Sequence, residues 1–358
     1  GGLNADVPVI ALTANAGGDN QELYRREGFD GYLLKPVSGI QLEKELLRHL
    51  PKELVNLSNS GDFEDMLESP VHVHNKMASV MITTDSVCDL PKSLRERYQI
   101  IEMPYHVHTD GGVFMDGIET ETDGVLSYIG DKGKNARSES PSVAEYEEFF
   151  AEQLTKAQHI IHITMAKHVS MGYDNAREAA KTFDNINVVD SGHLSCGMGL
   201  LVLHAAEYAA SGMSAGDIIK KIERIRNRVK TSFVVNSTEY LAKSGRISPK
   251  INTICKTLLL HPILVMRNSS MVVGQIRMGT RDVTWKKYTR STIKSMHNSD
   301  RNMLFIVYTG LQKEELKSIE EEVLKKIPFK TVIYQKASSA ISINCGPGSF
   351  GFMYMLKD

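Results

Sequence analysis

Three glycines near the end of the chain, Gly346, Gly348 and Gly351, have the spacing of a phosphate-binding G-x-G-x-x-G loop. Such a loop binds a dinucleotide where it opens a helix inside a βαβ unit, because the phosphates then lie at the helix N-terminus. Only residues 352–358 follow the third glycine, which is too few for that unit. The pattern therefore favours a tight turn whose backbone amides approach a buried polar group, or else an ordinary turn before a last strand.

Carboxylates also stand where a parallel sheet would place ligand-binding groups. Asp85 and Asp190 each end a predicted strand, and open α/β sheets bind ligands at the carboxyl ends of their strands. Together with Asp116 they suggest one interpretation, a small-molecule enzyme that uses a metal ion. The spacing of Ser86 and Asp89 supports a simpler one, in which these side chains cap the start of the following helix. Both interpretations stay open at this point.

Histidines occur as two H-x-H pairs, His72 with His74 and His106 with His108. On a strand each pair would point to one face, where it could bind zinc or copper. A third ligand at a defined spacing is missing, so the pattern favours ordinary hydrogen-bonding histidines and predicts no metal site.

No G-x-S-x-G motif occurs, and no cysteine has a histidine fixed near it by the sequence. Covalent catalysis is therefore not predicted.

Composition narrows the class of protein. The chain is 42% hydrophobic and 24% charged, and its 42 basic and 43 acidic residues give a net charge of −1. This balance argues against nucleic acid as a partner.

No apolar run approaches the roughly 20 residues of a membrane span, and we expect a cytoplasmic protein. Because the sequence begins with Gly1, we expect residues to precede it. The cysteines occur singly, as is typical of a reducing compartment: Cys88, Cys196, Cys255 and Cys345.

Strand and helix patterns alternate over residues 79–230, which predicts a parallel sheet covered by helices on both faces. Over residues 231–358 strands predominate, and RNSS at 267–270 has the composition of a hairpin turn, so we expect a second, α+β domain. Residues 52–78 are polar and irregular, as is typical of a linker. Residues 1–51 form a separate short α/β segment.

That first segment resembles the last part of a response-regulator receiver domain. The resemblance lies in PVIALTANA and GFDGYLLKPV, with Thr13 and Lys35–Pro36 at the switch positions of that family. In receiver domains the acidic cluster and the phosphoacceptor aspartate lie on earlier strands. The resemblance thus implies a partial receiver domain over residues 1–51, which would not accept a phosphoryl group by itself.

The remainder, residues 79–358, resembles the DegV family. The resemblance is carried, in the family's order, by these stretches: ITTDSVCDLP, SESPSVAEYEEFF, ITMAKHVSMGYDNA, VVDSGHLSCGMG, EYLAKSGRIS, HPILVM and the terminal GPG. Each stretch is weak alone, but together they span the whole segment. The resemblance implies a two-domain α/β fold that binds a long-chain fatty acid in a buried tunnel.

Several site residues follow from this resemblance. Ser138 and Ser170 match the two hydroxyls that hold the fatty-acid carboxylate, and the backbone amide of Gly172 would share its charge. Asn344 and Gly346 fall in the loop that covers the lipid head group. The family's serines before the second loop are replaced here by Ala166–Lys167. We expect Lys167 to compensate as a cation, and Glu139 in the first loop to face solvent.

The resemblance also implies the role of the protein. Well-understood family members are lipid-presenting subunits, whose bound carboxylate is phosphorylated by a separate, ATP-binding fatty-acid kinase. Arg246 in SGRIS would contact the phosphate or the partner. The chain has no P-loop, so we predict neither enzymatic activity nor a cofactor. An alternative is a two-component output module, in which the receiver segment regulates the lipid-binding part.

Overall fold

The computed structural model describes residues 10–13, 31–34, 78–131 and 134–358. The chain divides into two compact units, residues 1–76 and 77–358. In the first unit, strands β1 (Ile10–Thr13) and β2 (Gly31–Leu34) pair in parallel. The other features predicted there, among them Lys35–Pro36, lie outside the described residues, as do His72, His74 and nearly all of the linker. The receiver assignment therefore stays a prediction.

The strands of the second unit form three sheets. In chain order they are β3 (Ala78–Asp85), β4 (Ile101–Met103), β5 (His106–Thr109), β6 (Gly112–Met115), β7 (Ala136–Glu139), β8 (Ala157–Thr164), β9 (Ile186–Asp190), β10 (Val229–Val234), β11 (Leu260–Arg267), β12 (Ser270–Met278), β13 (Ser299–Thr309), β14 (Thr331–Lys336) and β15 (Ser349–Leu356). We use N-terminal lobe for residues 78–228 and C-terminal lobe for residues 229–358.

Helices fill the spaces between these strands. They are α1 (Lys92–Tyr98), α2 (Thr122–Gly130), α3 (Val143–Leu154), α4 (Gly172–Ala180), α5 (Ser195–Ala210), α6 (Ala215–Arg226), α7 (Glu239–Lys243), α8 (Pro249–Thr257), α9 (Arg281–Met296), α10 (Lys313–Leu324) and α11 (Ser339–Cys345). A single 3₁₀ turn, Ser86–Cys88, follows β3.

The N-terminal lobe contains the predicted parallel sheet, with strand order β4-β3-β8-β9. Consecutive residues of β8 point to opposite faces, and both faces are apolar: Ile160 packs in one buried cluster with Tyr146 and Phe150, and Ile161 in another. This double burial explains why β8 is an almost continuous apolar run rather than an alternating one. The prediction of a sheet covered on both faces is confirmed.

A second, small sheet in this lobe has the order β6-β5-β7 and is antiparallel. The sequence did not predict it, because four-residue strands such as HVHT and ARSE alternate polar and apolar groups too briefly to distinguish them from loops. Its importance is positional. In β7, Ser138 stands opposite Val107 of β5, which places the loop before α3 beside the rest of the site.

The C-terminal lobe is built on a six-stranded sheet of order β12-β11-β10-β15-β13-β14, mostly antiparallel, with β13 and β14 parallel. The predicted hairpin is present: Arg267 pairs with Ser270, and Asn268 and Ser269 have φ of 49° and 59°, as a tight two-residue turn requires. The lobe's first strand begins at Val229, and the domain boundary between residues 230 and 231 stays a prediction. Helix α5 is buried along most of its length and belongs to the largest apolar cluster, which includes residues of both lobes.

Candidate functional site

An apolar cavity lies between the two lobes. It is lined from the N-terminal lobe by Val87, Tyr105, Ser138, Met165, Val169 and Leu194, and from the C-terminal lobe by Phe233, Leu241, Arg246, Met271, Ala340, Ile341, Asn344 and Cys345. A second cavity shares four of these residues and continues into the C-terminal lobe along Val307, Phe350 and Met353. The volumes of the two cavities are about 30 and 40 Å³, so both are small.

Polar groups are confined to a few positions on the wall of the first cavity. Ser138 is contributed by β7, and Asn344 by α11, and the Asn344 Nδ2 donates to the Ser138 Oγ at 3.3 Å. Arg246 follows α7, and its Nη1 donates to the backbone carbonyl of Val169 at 3.1 Å. Because Arg246 lines the cavity yet is exposed to solvent, it marks the place where the cavity reaches the surface.

Tyr105 joins the second predicted serine to the cavity. Its hydroxyl lies 2.8 Å from the Oγ of Ser170, which does not itself line the hollow, and the Ser170 Oγ also accepts from the backbone N–H of Gly172 at 3.1 Å. Tyr105 is only 2% exposed, and this burial raises the pKa of its phenol well above the ordinary value. The hydroxyl therefore stays protonated and available as a donor.

Gly172 has no room for a side chain. A Cβ atom there would lie 2.5 Å from the Tyr105 hydroxyl oxygen, so the first turn of α4 sits directly against the phenol. The structure thus places Gly172 beside Ser170, as expected, but as a close backbone contact whose N–H is already donated within the loop.

Lys167 does not join this group. Its side chain is exposed and does not line either cavity, and its backbone N–H donates to Asp190 Oδ1 at 3.2 Å. The expectation that it compensates for a missing hydroxyl has no support in this geometry, because the loop directs the residue outward. Glu139 is exposed, as expected, and its carboxylate pairs with Arg137 at 2.6 Å and His108 at 2.9 Å.

The glycine loop is the turn between α11 and β15. Gly346 ends α11 with φ of 69°, and its N–H donates to the carbonyl of Ser342. The N–H of Gly348 donates to the carbonyl of Thr309 at 2.7 Å. A Cβ atom on Gly346 would overlap the ring of Tyr240. These glycines serve backbone geometry, while the neighbouring Asn344 and Cys345 are the residues that reach the cavity.

Each acid of the enzyme interpretation has protein partners. Asp85 is fully buried and accepts from the Tyr146 hydroxyl at 2.7 Å, and its other oxygen accepts from the Met165 N–H at 3.2 Å. Asp190 accepts from the Gly192 N–H and the Ser269 hydroxyl. Within residues 78–131 and 134–358 no three histidine, cysteine or acidic side chains are grouped as metal ligands.

The capping interpretation was wrong for the segment that follows β3. Neither the 3₁₀ turn nor α1 receives a side-chain cap from its own residues. Ser86 donates instead to Asp116 Oδ2 at 2.9 Å and accepts from the Tyr105 N–H at 3.1 Å. Asp89, which has φ of 52°, turns towards the C-terminal lobe.

The histidines of β5 pair with neighbouring carboxylates. His106 Nε2 lies 2.9 Å from Glu145, and His108 Nε2 lies 2.9 Å from Glu139. Both are ion-pair contacts, and the hydrogen bond of His108 is made by its Nδ1, which lies 3.3 Å from Arg137 Nη2. Among the described helices, none combines the length and apolar character needed to cross a bilayer.

Sequence reasoning missed Tyr105 as part of the site. A tyrosine just after a short strand carries no chemical signature, and only the fold brings it to Ser170, 65 positions later. Cys345 was also missed as a lining residue. Burial raises the pKa of its thiol to about 12, so it presents a neutral, weakly polar surface.

Comparisons with known proteins agree with this architecture. A family profile described as "Uncharacterised protein, DegV family" matches residues 79–357. A DegV domain-containing protein from Caldanaerobacter subterraneus is 27% identical over 285 residues, 78% of this chain and 100% of that protein. A fatty-acid-binding DegV family protein from Thermus thermophilus has a solved structure with TM-score 0.70 and 25% identity, covering 78% of this chain and 100% of its own. The Fatty Acid Kinase (Fak) B3 protein of Streptococcus pneumoniae, loaded with linoleic acid, has TM-score 0.67 at 18% identity, with coverages of 78% and 100%.

Proposed function

The chain belongs to the DegV family over residues 79–357, and on that premise we propose that it binds a long-chain fatty acid and presents the carboxylate to a separate kinase. The carboxylate lies at the polar wall formed by Tyr105, Ser138, Asn344 and Arg246, and the acyl chain runs into the apolar hollow. The observation that carries the proposal is the composition of this wall, on which a few polar side chains stand among otherwise apolar ones.

The head-group end supplies donors suited to a carboxylate. The hydroxyls of Ser138 and Tyr105 are neutral donors, and the Arg246 guanidinium is the cation that lines the cavity. The Asn344 amide donates to the Ser138 Oγ and to the Ala340 carbonyl, and it thereby orients the Ser138 hydroxyl. Asn344 cannot carry charge, so most of the electrostatic attraction comes from Arg246 at the opening. The hydroxyls orient the acid group, and Ser170 acts through its contact with Tyr105.

Burial of the acyl chain in the apolar part of the cavity accounts for the affinity for the fatty acid. Each buried CH₂ contributes about 0.8 kcal/mol, so shortening the acyl chain by two methylenes weakens binding by about 1.6 kcal/mol, or roughly fifteenfold. A ligand of this size needs a hollow of about 300–1,000 Å³. The walls must therefore separate on binding, and the flexible side chains of Met165, Met271 and Met353 are suited to that movement.

Two points support presentation to a kinase partner. The solved relative from Streptococcus pneumoniae is named as a Fatty Acid Kinase B protein. In this chain the cationic residue of the site, Arg246, lies where the cavity meets solvent, so a partner that approaches this opening meets the carboxylate and the guanidinium together. Phosphoryl transfer would be catalysed by that partner, because the sequence has no phosphate-binding loop.

Fatty-acid binding is tested on the full chain. We expect mass spectrometry of an organic extract to recover a long-chain fatty acid, and we expect the delipidated protein to bind an anthroyloxy-labelled fatty acid that palmitate displaces. Ile341→Glu puts a charge on the wall shared by both cavities and should abolish binding, whereas Ile118→Glu, on the exposed surface, should not. No extracted lipid and no probe binding would refute the proposal.

Presentation is tested separately with a bacterial fatty-acid kinase subunit, ATP and loaded protein, by following acyl-phosphate formation. Arg246→Ala should reduce acyl-phosphate formation more than tenfold at saturating fatty acid, because the mouth loses its cation. Lys243→Ala is the matched control, since Lys243 is a nearby cation that pairs with Glu239 and does not line the cavity. Equal rates for the two variants would contradict the role given to Arg246.

A further inference from the structure

Helix α11, which carries Asn344, begins without a cap from its own segment. The residue before it, Ser338, makes no side-chain capping bond. The N–H of Ser338 donates instead to Asp89 Oδ1 at 2.9 Å, and the N–H of Ser339 donates to Asp116 Oδ1 at 3.0 Å. Free N–H groups at a helix start need acceptors, and here two acids from the other lobe provide them.

The two acceptors are themselves held in place. Asp89 is 4% exposed, and its second oxygen accepts from the Ser195 hydroxyl at the start of α5. Asp116 is 2% exposed, and its second oxygen accepts from the Ser86 hydroxyl at 2.9 Å. A carboxyl group held on both oxygens is a firm acceptor, because no rearrangement is needed before it binds the helix.

The same helix lines the cavity from its second residue to its last. Ala340, Ile341, Asn344 and Cys345 lie on the wall, and the Asn344 Nδ2 donates to the Ser138 Oγ. At 1.5 Å per residue, about 8 Å of helix separates the bonds at Ser339 from Asn344. A shift at the capped end therefore displaces the head-group end.

We propose that Asp89 and Asp116 are positioning residues for the ligand: by accepting the first N–H groups of α11 they dock this helix on the N-terminal lobe and hold Asn344 beside Ser138. The inference deepens the proposed function and rests on it. It gives two acids that touch no ligand a defined role in head-group recognition.

The first measurement is fatty-acid affinity of the full chain. Asp89→Ala removes an acceptor, and Ser339→Pro removes the N–H donated to Asp116 while keeping a residue favoured at the first helical position. If α11 is docked only about one-tenth of the time in these two variants, their dissociation constant for the fatty acid rises about tenfold. Asp89→Asn retains an acceptor oxygen and should stay within about threefold of wild type.

The second measurement separates undocking from loss of the fold. Buried Cys345 lies on α11, whereas buried Cys88 and Cys196 lie in the N-terminal lobe. Maleimide labelling followed by peptide mass spectrometry should show Cys345 labelled at least tenfold faster in Asp89→Ala and Ser339→Pro, with Cys88 and Cys196 still protected. Asp123→Ala is the control, because the Asp123 carboxylate pairs with Lys336 at the surface of the same junction and accepts no N–H of α11.

The outcomes are distinct. Weaker binding with selective labelling of Cys345, and recovery in Asp89→Asn, supports the positioning role. If the wild-type protein binds fatty acid and Asp89→Ala and Ser339→Pro bind it equally well, or if all three thiols become labelled together, the positioning role is overturned and the proposed function stands. A wild-type protein that binds no fatty acid overturns the proposed function and the positioning role with it, while unchanged Cys345 labelling would refute the docking independently.

Discussion

Replacing Tyr105 by phenylalanine removes one oxygen atom from the head-group end of the cavity and keeps the ring that fills the space. In the structure the Ser170 Oγ accepts from the Gly172 N–H and lies 2.8 Å from the Tyr105 hydroxyl. Two hydroxyls in contact use one hydrogen between them, so one hydrogen remains for a bound carboxylate. The substitution removes one of these hydrogens and leaves the Ser170 hydroxyl without the neighbour that orients it.

The expected magnitude follows from that count. Hydrogen bonds to charged groups contribute about 1.5–3 kcal/mol, and the lower end applies because the Ser138 hydroxyl and the Arg246 guanidinium still donate to the carboxylate. Fatty-acid affinity should therefore fall by about 1.5 kcal/mol, roughly tenfold. A fatty-acid methyl ester has no charge to stabilise, so its affinity should change by less than about threefold.

The assay is displacement of a fluorescent fatty acid by palmitate and by methyl palmitate, for wild type and Tyr105→Phe. Tyr128→Phe is the control, since the hydroxyl of Tyr128 donates to Asp110 on the surface at 2.9 Å and lies away from the cavity. If Tyr105→Phe binds palmitate as wild type does, or loses acid and ester equally, the head-group assignment of Tyr105 is refuted.

Two further predictions concern stability. Burial raises the pKa of Asp89 and of Glu102 to about 7, so the folded protein binds these protons more tightly, while the pKa of His193, lowered to about 4 by burial, acts in the opposite direction. The net result should be an unfolding free energy about 2 kcal/mol higher at pH 6 than at pH 8, measured by urea denaturation. Gly346→Ala combines a φ of 69° with overlap on Tyr240 and should cost about 2 kcal/mol or more in the same assay.

Each of these two stability predictions would be contradicted by a specific result. A stability that is flat or rises between pH 6 and pH 8 would show that the buried carboxyls are not protonated as inferred. For the glycine, Gly212→Ala is the control: its φ is 80° but its Cβ would meet nothing within 4 Å, so only the backbone strain of about 1 kcal/mol applies. Equal losses for the two alanine variants would exclude the overlap on Tyr240.

The parts of the fold that depend on local pattern were predictable. Helix α3 follows from its local pattern, because its apolar spacing begins directly after Ser142, whose side chain forms a capping box with Glu145. Strand β9 also follows from its local pattern, as a short apolar run between polar turns. Helix α11 was not predicted, since seven residues with a cap supplied from the other lobe carry no local start signal.

The candidate site, like the fold, was predictable only in part. The family resemblance named Ser138, Asn344 and Arg246, which the fold brings to one cavity. It placed Lys167 there too, because a motif fixes the order of residues but not the direction in which a loop turns its side chains. Tyr105 depends on a contact across 65 positions, which no spacing rule could supply.

The central claim places the acid group and the end of the acyl chain at opposite ends of one hollow. A crystal structure with 16-bromohexadecanoic acid, with the bromine located by anomalous scattering, measures both positions at once. We predict the carboxylate within hydrogen-bonding distance of Ser138 and Asn344, and the bromine beside Phe350 and Met353. A bromine at the Arg246 opening, or a ligand bound outside both cavities, would contradict the account.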